Sequence, residues 1–174
     1  MDVLAKLGKT SIIYGLGGAI TKGIPFLLLP VYTNIFTPEE YGTIEIFTII
    51  IALLSNLMMM GMDSAQSYFF FEQNEDERPK VVSSIVQWRF VWGGLVILIS
   101  TFIAPFLNSL LFNTSLSLDY FVVAFVISLF STVLGQAVDV FRLTFQPWHY
   151  IAVNIFHSIL TALLILFFIL ILDK

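Results

Sequence analysis

Apolar residues run through this chain in five long blocks, parted by short stretches of polar and turn-forming residues. The blocks cover 10–35, 41–62, 82–106, 118–141 and 150–172. About 20 helical residues rising 1.5 Å each cross a hydrocarbon core of about 30 Å, so every block is long enough to span a bilayer. The pattern predicts an all-α chain: a polytopic transmembrane helix bundle of about five spans, forming a single transmembrane helical region over 1–174. The first turn, 36–40, carries Pro38 followed by Glu39 and Glu40, a helix-start signal. The second and longest loop holds Glu72, Glu75, Asp76, Glu77, Arg78, Pro79 and Lys80. The third covers 107–117, and the fourth, 142–149, includes Pro147.

Composition sharpens this picture. The chain is 58% hydrophobic and 11% charged, where soluble domains carry about 25% charged residues. Its mean hydropathy is +0.93. A soluble chain this apolar could not cover its own surface, so its solvent is lipid. The net charge of −4 says little, because the acidic second loop supplies much of it. Cysteine is absent, which removes disulfide frameworks and thiolate metal sites. Lys6 and Lys9 followed by an apolar run resemble a signal peptide, but the run is too long and lacks a small-residue cleavage site. It reads as an uncleaved first helix. Lys6, Lys9, Arg78, Lys80 and Arg142 fall before the first span and in the second and fourth loops. The positive-inside rule then expects the N-terminus and those two loops in the cytoplasm.

The polar residues inside the spans carry the functional reading. Lys22 lies about 11 residues into the first span, roughly 16 Å deep. A lysine at the centre of a membrane helix costs at least about 2.5–3.5 kcal/mol on insertion scales. It persists where it meets water, a carboxylate such as Glu45, or an anionic ligand. Pro25 and Pro30 remove backbone hydrogen bonds from the same span, and with Gly23 they make a candidate hinge. Ser11, Gly15, Ala19 and Gly23 recur every fourth residue, a row suited to close helix packing.

On the second span Glu45, Thr48, Ala52, Ser55, Asn56, Met59 and Asp63 share one face, with Asp63 read as a helix-end residue. The fourth span carries the rows Ser128, Thr132, Gln136 and Ser131, Gly135, Asp139. Arg89 enters the third span from the cytoplasmic side, where it either snorkels outward or joins Lys22 in a cationic pocket. Asp139 and Arg142 are spaced for a local pair. Polar groups in lipid turn inward. Glu45, Ser55, Asn56, Ser128, Thr132, Gln136 and Asp139 are therefore candidate lining of a wet cavity open to the cytoplasm, with interhelical hydrogen bonding as the alternative.

The patterns of soluble catalysis are missing. Gly15, Gly17 and Gly18 do not complete a dinucleotide loop, and there is no P-loop. His149 and His157 lack metal-ligand spacing, so neither a metal nor a cofactor is expected. Neither enzymatic activity nor nucleic-acid binding is expected. Asn113, Thr114 and Ser115 form a glycosylation sequon, meaningful only in a secretory pathway.

The order of motifs is familiar. A short basic N-terminus leads into a first span with Pro25 and Pro30, followed by Thr37-Pro38-Glu39-Glu40-Tyr41-Gly42. The second span closes with Gly61-Met62-Asp63-Ser64-Ala65, and a stretch rich in phenylalanine and charge comes next. This resembles the N-terminal part of the polysaccharide biosynthesis and O-antigen flippase proteins, within the multidrug, oligosaccharidyl-lipid and polysaccharide exporter superfamily. The resemblance implies part of the first of two pseudo-symmetric helical halves, in a multi-pass protein of the bacterial inner membrane. It implies transport of undecaprenyl-pyrophosphate-linked oligosaccharide by alternating access, through a cationic cavity and coupled to a proton or sodium gradient. Lys22 and Arg89 match only the idea of that cavity, as candidate substrate-binding groups. Membrane lipid and the lipid-linked oligosaccharide are the expected partners. Five spans are fewer than one half of such a transporter, so the expectation is an N-terminal portion of a longer protein or a truncated gene product. Two other readings stand beside it. One is a drug or cation antiporter in which Glu45 or Asp139 carries the coupling ion. The other is a non-transporting membrane subunit.

Overall fold

The computed structural model describes residues 2–112 and 116–172; the sequon at 113–115 lies outside the described residues. It is all-α. Six helices follow in order: α1 (Asp2–Ile35), α2 (Pro38–Met59), α3 (Met62–Glu72), α4 (Arg78–Leu111), α5 (Leu118–Leu143) and α6 (Pro147–Leu172). Five stretches are long and apolar enough to cross a membrane: Ile12–Ile35, Pro38–Glu72, Arg78–Leu111, Leu118–Leu143 and Pro147–Ile169.

Two boundaries differ from the sequence expectation. The second span does not end at Met62. After a break at Met60 and Gly61 the chain resumes as α3, which takes in the phenylalanine-rich stretch read as loop. The third span starts at Arg78 rather than Val82 and runs to Leu111, past Pro105. Pro79 sits in its first turn, where a missing N–H costs nothing, so it opens the helix rather than preceding it.

The chain divides into two compact units, Met1–Thr37 with Val138–Lys174, and Pro38–Ala137. In the first unit α1 packs along α6. A Cβ added at Gly17 would lie 2.5 Å from Cγ1 of Ile151, so the missing side chain is what lets α6 approach. One turn away Tyr14 and Tyr150 meet edge to face at 5.3 Å. The α6 contact does not fall on the expected packing row. Added Cβ atoms at Gly15 and Gly23 would meet nothing within 4 Å, because α6 lies against the Gly17 side of α1. Pro25 and Pro30 leave α1 continuous, and the side chains of Thr33 and Asn34 donate to the Pro30 carbonyl at 3.1 and 2.7 Å.

The α5–α6 turn closes with paired bonds, Phe145 N to the Arg142 carbonyl at 3.1 Å and Gln146 N to the Phe141 carbonyl at 2.8 Å. Phe145 takes the left-handed position that glycine usually fills. Pro147 then starts α6. Arg142 pairs with Asp139 at 2.7 Å, the local pair that the three-residue spacing predicts.

The second unit is built on Ile50, Ala104, Phe121, Ala124 and Phe125, with Phe47 and Phe112 packed against them. The Phe47 ring stacks on Phe112 at 5.5 Å and meets Phe121 edge-on at 5.1 Å. Asn108, buried near the end of α4, both donates to and accepts from the Leu116 backbone at 2.8 and 3.2 Å. That pair satisfies the amide and holds the α4–α5 connection.

Candidate functional site: a broken helix and a buried arginine

The second unit carries the densest buried polar chemistry, and it begins at the break. Met60 and Gly61 take left-handed φ angles of 46° and 77°. The first is strained for a residue with a Cβ, while the second suits glycine. A break within an apolar span frees carbonyls that lipid cannot serve. The indole Nε1 of Trp92 donates to one of them, Leu57, at 3.2 Å.

Asp63 stands in the first turn of α3, where the helix dipole favours a carboxylate. Across from it α4 presents a buried stripe of Ile85, Arg89, Gly93, Val96, Ser100, Ala104 and Asn108 at steps of three and four. Arg89 lies on that stripe, so the face that packs the helix also carries its charge inward. Its side chain is 1% exposed. Nη2 donates to the Asp63 carboxylate, and Nη1 donates to the Thr132 carbonyl at 3.0 Å. One guanidinium thus ties together α3, α4 and α5. Gly93 makes room for this packing, since a Cβ there would lie 2.4 Å from Cδ1 of Leu129.

The structure gives Arg89 neither snorkelling exposure nor a free charge. Asp63, expected at the end of the second span, stands instead in the first turn of α3 and is the arginine's counter-ion. Sequence reading missed the pair. A signal was present: the two residues lie at nearly equal removes on either side of the 73–77 turn, and a helical hairpin brings such positions level.

The candidate lining residues divide. Ser128, Thr132 and Gln136 are buried. Ser128 Oγ donates to the Ala124 carbonyl at 2.8 Å, and Thr132 Oγ1 to the Leu129 carbonyl at 2.8 Å. Ser55 is half-buried and donates to the Ser128 carbonyl at 3.5 Å, at the limit of a hydrogen bond. Glu45, Thr48 and Asn56 are exposed on α2. Asp139, in the first unit, is half-buried and bound to Arg142. Lys22 is exposed on α1, next to the half-buried Gly23 and one turn before the exposed Pro25.

Between α2 and α4 an apolar groove of about 620 Å³ runs over Ile46, Leu53, Leu57, Val96 and Phe125. Ser100 is the one polar side chain among those that line it apart from the Trp92 indole, so the groove offers nothing to a charged group. No group of three or more His, Asp or Glu side chains that could hold a metal ion occurs among the described residues.

Long apolar helices with an ion pair and polar rows within their spans define a polytopic α-helical membrane protein. The chain matches the polysaccharide biosynthesis protein family over residues 7–173 and belongs to that family. It is also similar to a protein of the Lsg locus of Haemophilus influenzae, 26% identical over 145 residues. That alignment covers 83% of this chain and 33% of the relative, so the chain spans about a third of the length of the curated relative it matches. No solved structure matches it.

Proposed function

We propose that this chain is part of a flippase that moves an undecaprenyl-pyrophosphate-linked oligosaccharide from the inner to the outer leaflet of a bacterial inner membrane. The product would feed O-antigen or capsule assembly. Family membership supports the class of cargo, and the N-terminus is assigned to the cytoplasm from the lysine and arginine pattern. The chain's part is to bind and conduct; no bond-making chemistry is assigned to it.

The observation that carries the reading is the polar surface left exposed within apolar spans. Lys22 on α1 and Glu45, Thr48 and Asn56 on α2 all stand open. Lipid would strand the Lys22 and Glu45 charges and the Asn56 amide, whereas Thr48 Oγ1 donates to the Ile44 carbonyl at 2.9 Å. A helix face turned to water and to a charged, hydroxyl-rich cargo would not strand them. Lys22 supplies the cation that a pyrophosphate requires, whereas Arg89 already has its counter-ion. A proton or sodium ion bound at Glu45 would couple transport to a gradient.

The test is Lys22→Ala in the complete protein, with Lys22→Arg as the charge-retaining control. Surface polysaccharide should be lost in the first and largely kept in the second, with membrane insertion unchanged in both. Unchanged polysaccharide in the alanine variant would sink the role. Drug resistance on expression, with normal polysaccharide, would favour a drug or cation antiporter instead.

A further inference from the structure

Three side chains in the second unit are sealed and underserved. Gln66, Arg89 and Gln136 are 1%, 1% and 2% exposed. Both amide atoms of each glutamine, and Nε of Arg89, have no hydrogen-bond partner among the described residues. A buried polar atom without a partner is costly anywhere and more so within a membrane span.

Helix register brings these side chains to one level of the unit. The Arg78–Phe70 and Arg89–Asp63 contacts show α3 and α4 running antiparallel. The Arg89–Thr132 and Asn108–Leu116 contacts show the same for α4 and α5. Gln66 lies one turn beyond Asp63 along α3, and Gln136 one turn beyond Thr132 along α5. Both steps lead in the same direction, to the level of Ile85 on α4. The two amides therefore flank α4 one turn below the guanidinium that Asp63 and Thr132 share.

We propose that Gln66, Gln136 and Nε of Arg89 form a buried hydration site between α3, α4 and α5. The chemistry selects a neutral ligand, because Asp63 already balances the arginine charge. The ligand must accept as well as donate, since Arg89 Nε only donates while each glutamine does both. It must also be small, because the three side chains leave almost no surface. Water meets all three conditions, and buried water typically makes two to four such bonds. A single direct bond between the amides would leave three of their four N–H groups, together with Arg89 Nε, still to be served.

The experiment is solid-state NMR on the whole protein labelled with 15N-glutamine in lipid nanodiscs. The chain has five glutamines. Gln66 and Gln136 follow Ala65 and Gly135, so pairwise labelling with 13C-alanine or 13C-glycine assigns them without any substitution. Magnetisation transfer from water to both side-chain amides, persisting when lipid-facing amides show none, is the expected result. Absence of transfer at both, or a direct amide-to-amide contact in its place, would overturn the proposal. Thermal midpoints give a second reading. Gln66→Leu and Gln136→Leu should each lower the midpoint, while the double variant should lie above either single one. Additive losses would count against a shared site.

Discussion

Arg89 and Lys22 are both cations within apolar spans, and the chain treats them in opposite ways. Arg89 is sealed in the second unit, bound to the Asp63 carboxylate and the Thr132 carbonyl. Lys22 stands exposed on a face of α1. A buried charge with its counter-ion belongs to the fold, since removing the carboxylate leaves the guanidinium stranded. An exposed charge in an apolar span contributes little to the packing of this chain and is available to something outside it. The contrast separates structure from function more sharply than charge alone, which would put both residues into one cationic site.

The largest expected effect breaks that contrast directly. Asp63→Ala leaves the Arg89 guanidinium without its carboxylate and should destabilise the protein by about 3–5 kcal/mol. Lys22→Ala should stay within about 0.5 kcal/mol of the parent, as a substitution away from packed groups does. Unfolding midpoints in nanodiscs measure both. Asp63→Leu combined with Arg89→Met should recover most of the loss, because an apolar pair needs no counter-ion. Equal losses from Asp63→Ala and Lys22→Ala would erase the distinction.

The α1–α6 contact and the α4–α5 contact are each made close by one glycine. A Cβ at Gly17 would lie 2.5, 2.8 and 3.1 Å from three atoms of Ile151. That side chain is β-branched and stiff. A Cβ at Gly93 would meet chiefly Cδ1 of Leu129, at 2.4 Å, the far end of a side chain that can turn aside. Gly17→Ala should therefore cost about 1–3 kcal/mol from overpacking, against a gain of up to about 1 kcal/mol in helix propensity. Gly93→Ala should cost less, and Ile151→Ala should rescue Gly17→Ala. If the two glycines respond alike, the stiffness argument fails.

What the sequence makes legible follows the same physics. Span count, helical class and family could be read because bilayer thickness imposes a long apolar run that few other folds need. The Asp139–Arg142 pair could be read because its spacing lies within one helix. The small-residue row was misassigned because period four marks a face without saying which face a neighbour takes, and α6 takes the one with Gly17. Arg89 was placed by depth alone, and depth does not reveal a counter-ion 26 positions away in sequence. Hydropathy could not show α3 as a separate helix, since the break falls inside an apolar run, Met58 to Met62, interrupted only by Gly61.

That break supplies the smallest effect and the last contrast. In α1 two prolines leave the helix unbroken, whereas the second span breaks with no proline at the break. Proline removes one bond and can be tolerated where other groups take up the freed carbonyls. Two consecutive left-handed residues redirect the backbone itself. Of the two, Met60 carries the strain, because at φ 46° its Cβ crowds the following carbonyl. Met60→Gly should therefore raise stability by about 1 kcal/mol, or lose nothing once glycine's added freedom in the unfolded chain is counted. Gly61→Ala should lower it by about 1–2 kcal/mol through the same crowding at φ 77°. Unfolding midpoints of the two variants should move in opposite directions or by clearly different amounts. A rise with Gly61→Ala would mean that the helix straightens and gains alanine's propensity. In that case the break would be a conformation the span can leave, and α3 could swing with the Asp63 that holds Arg89.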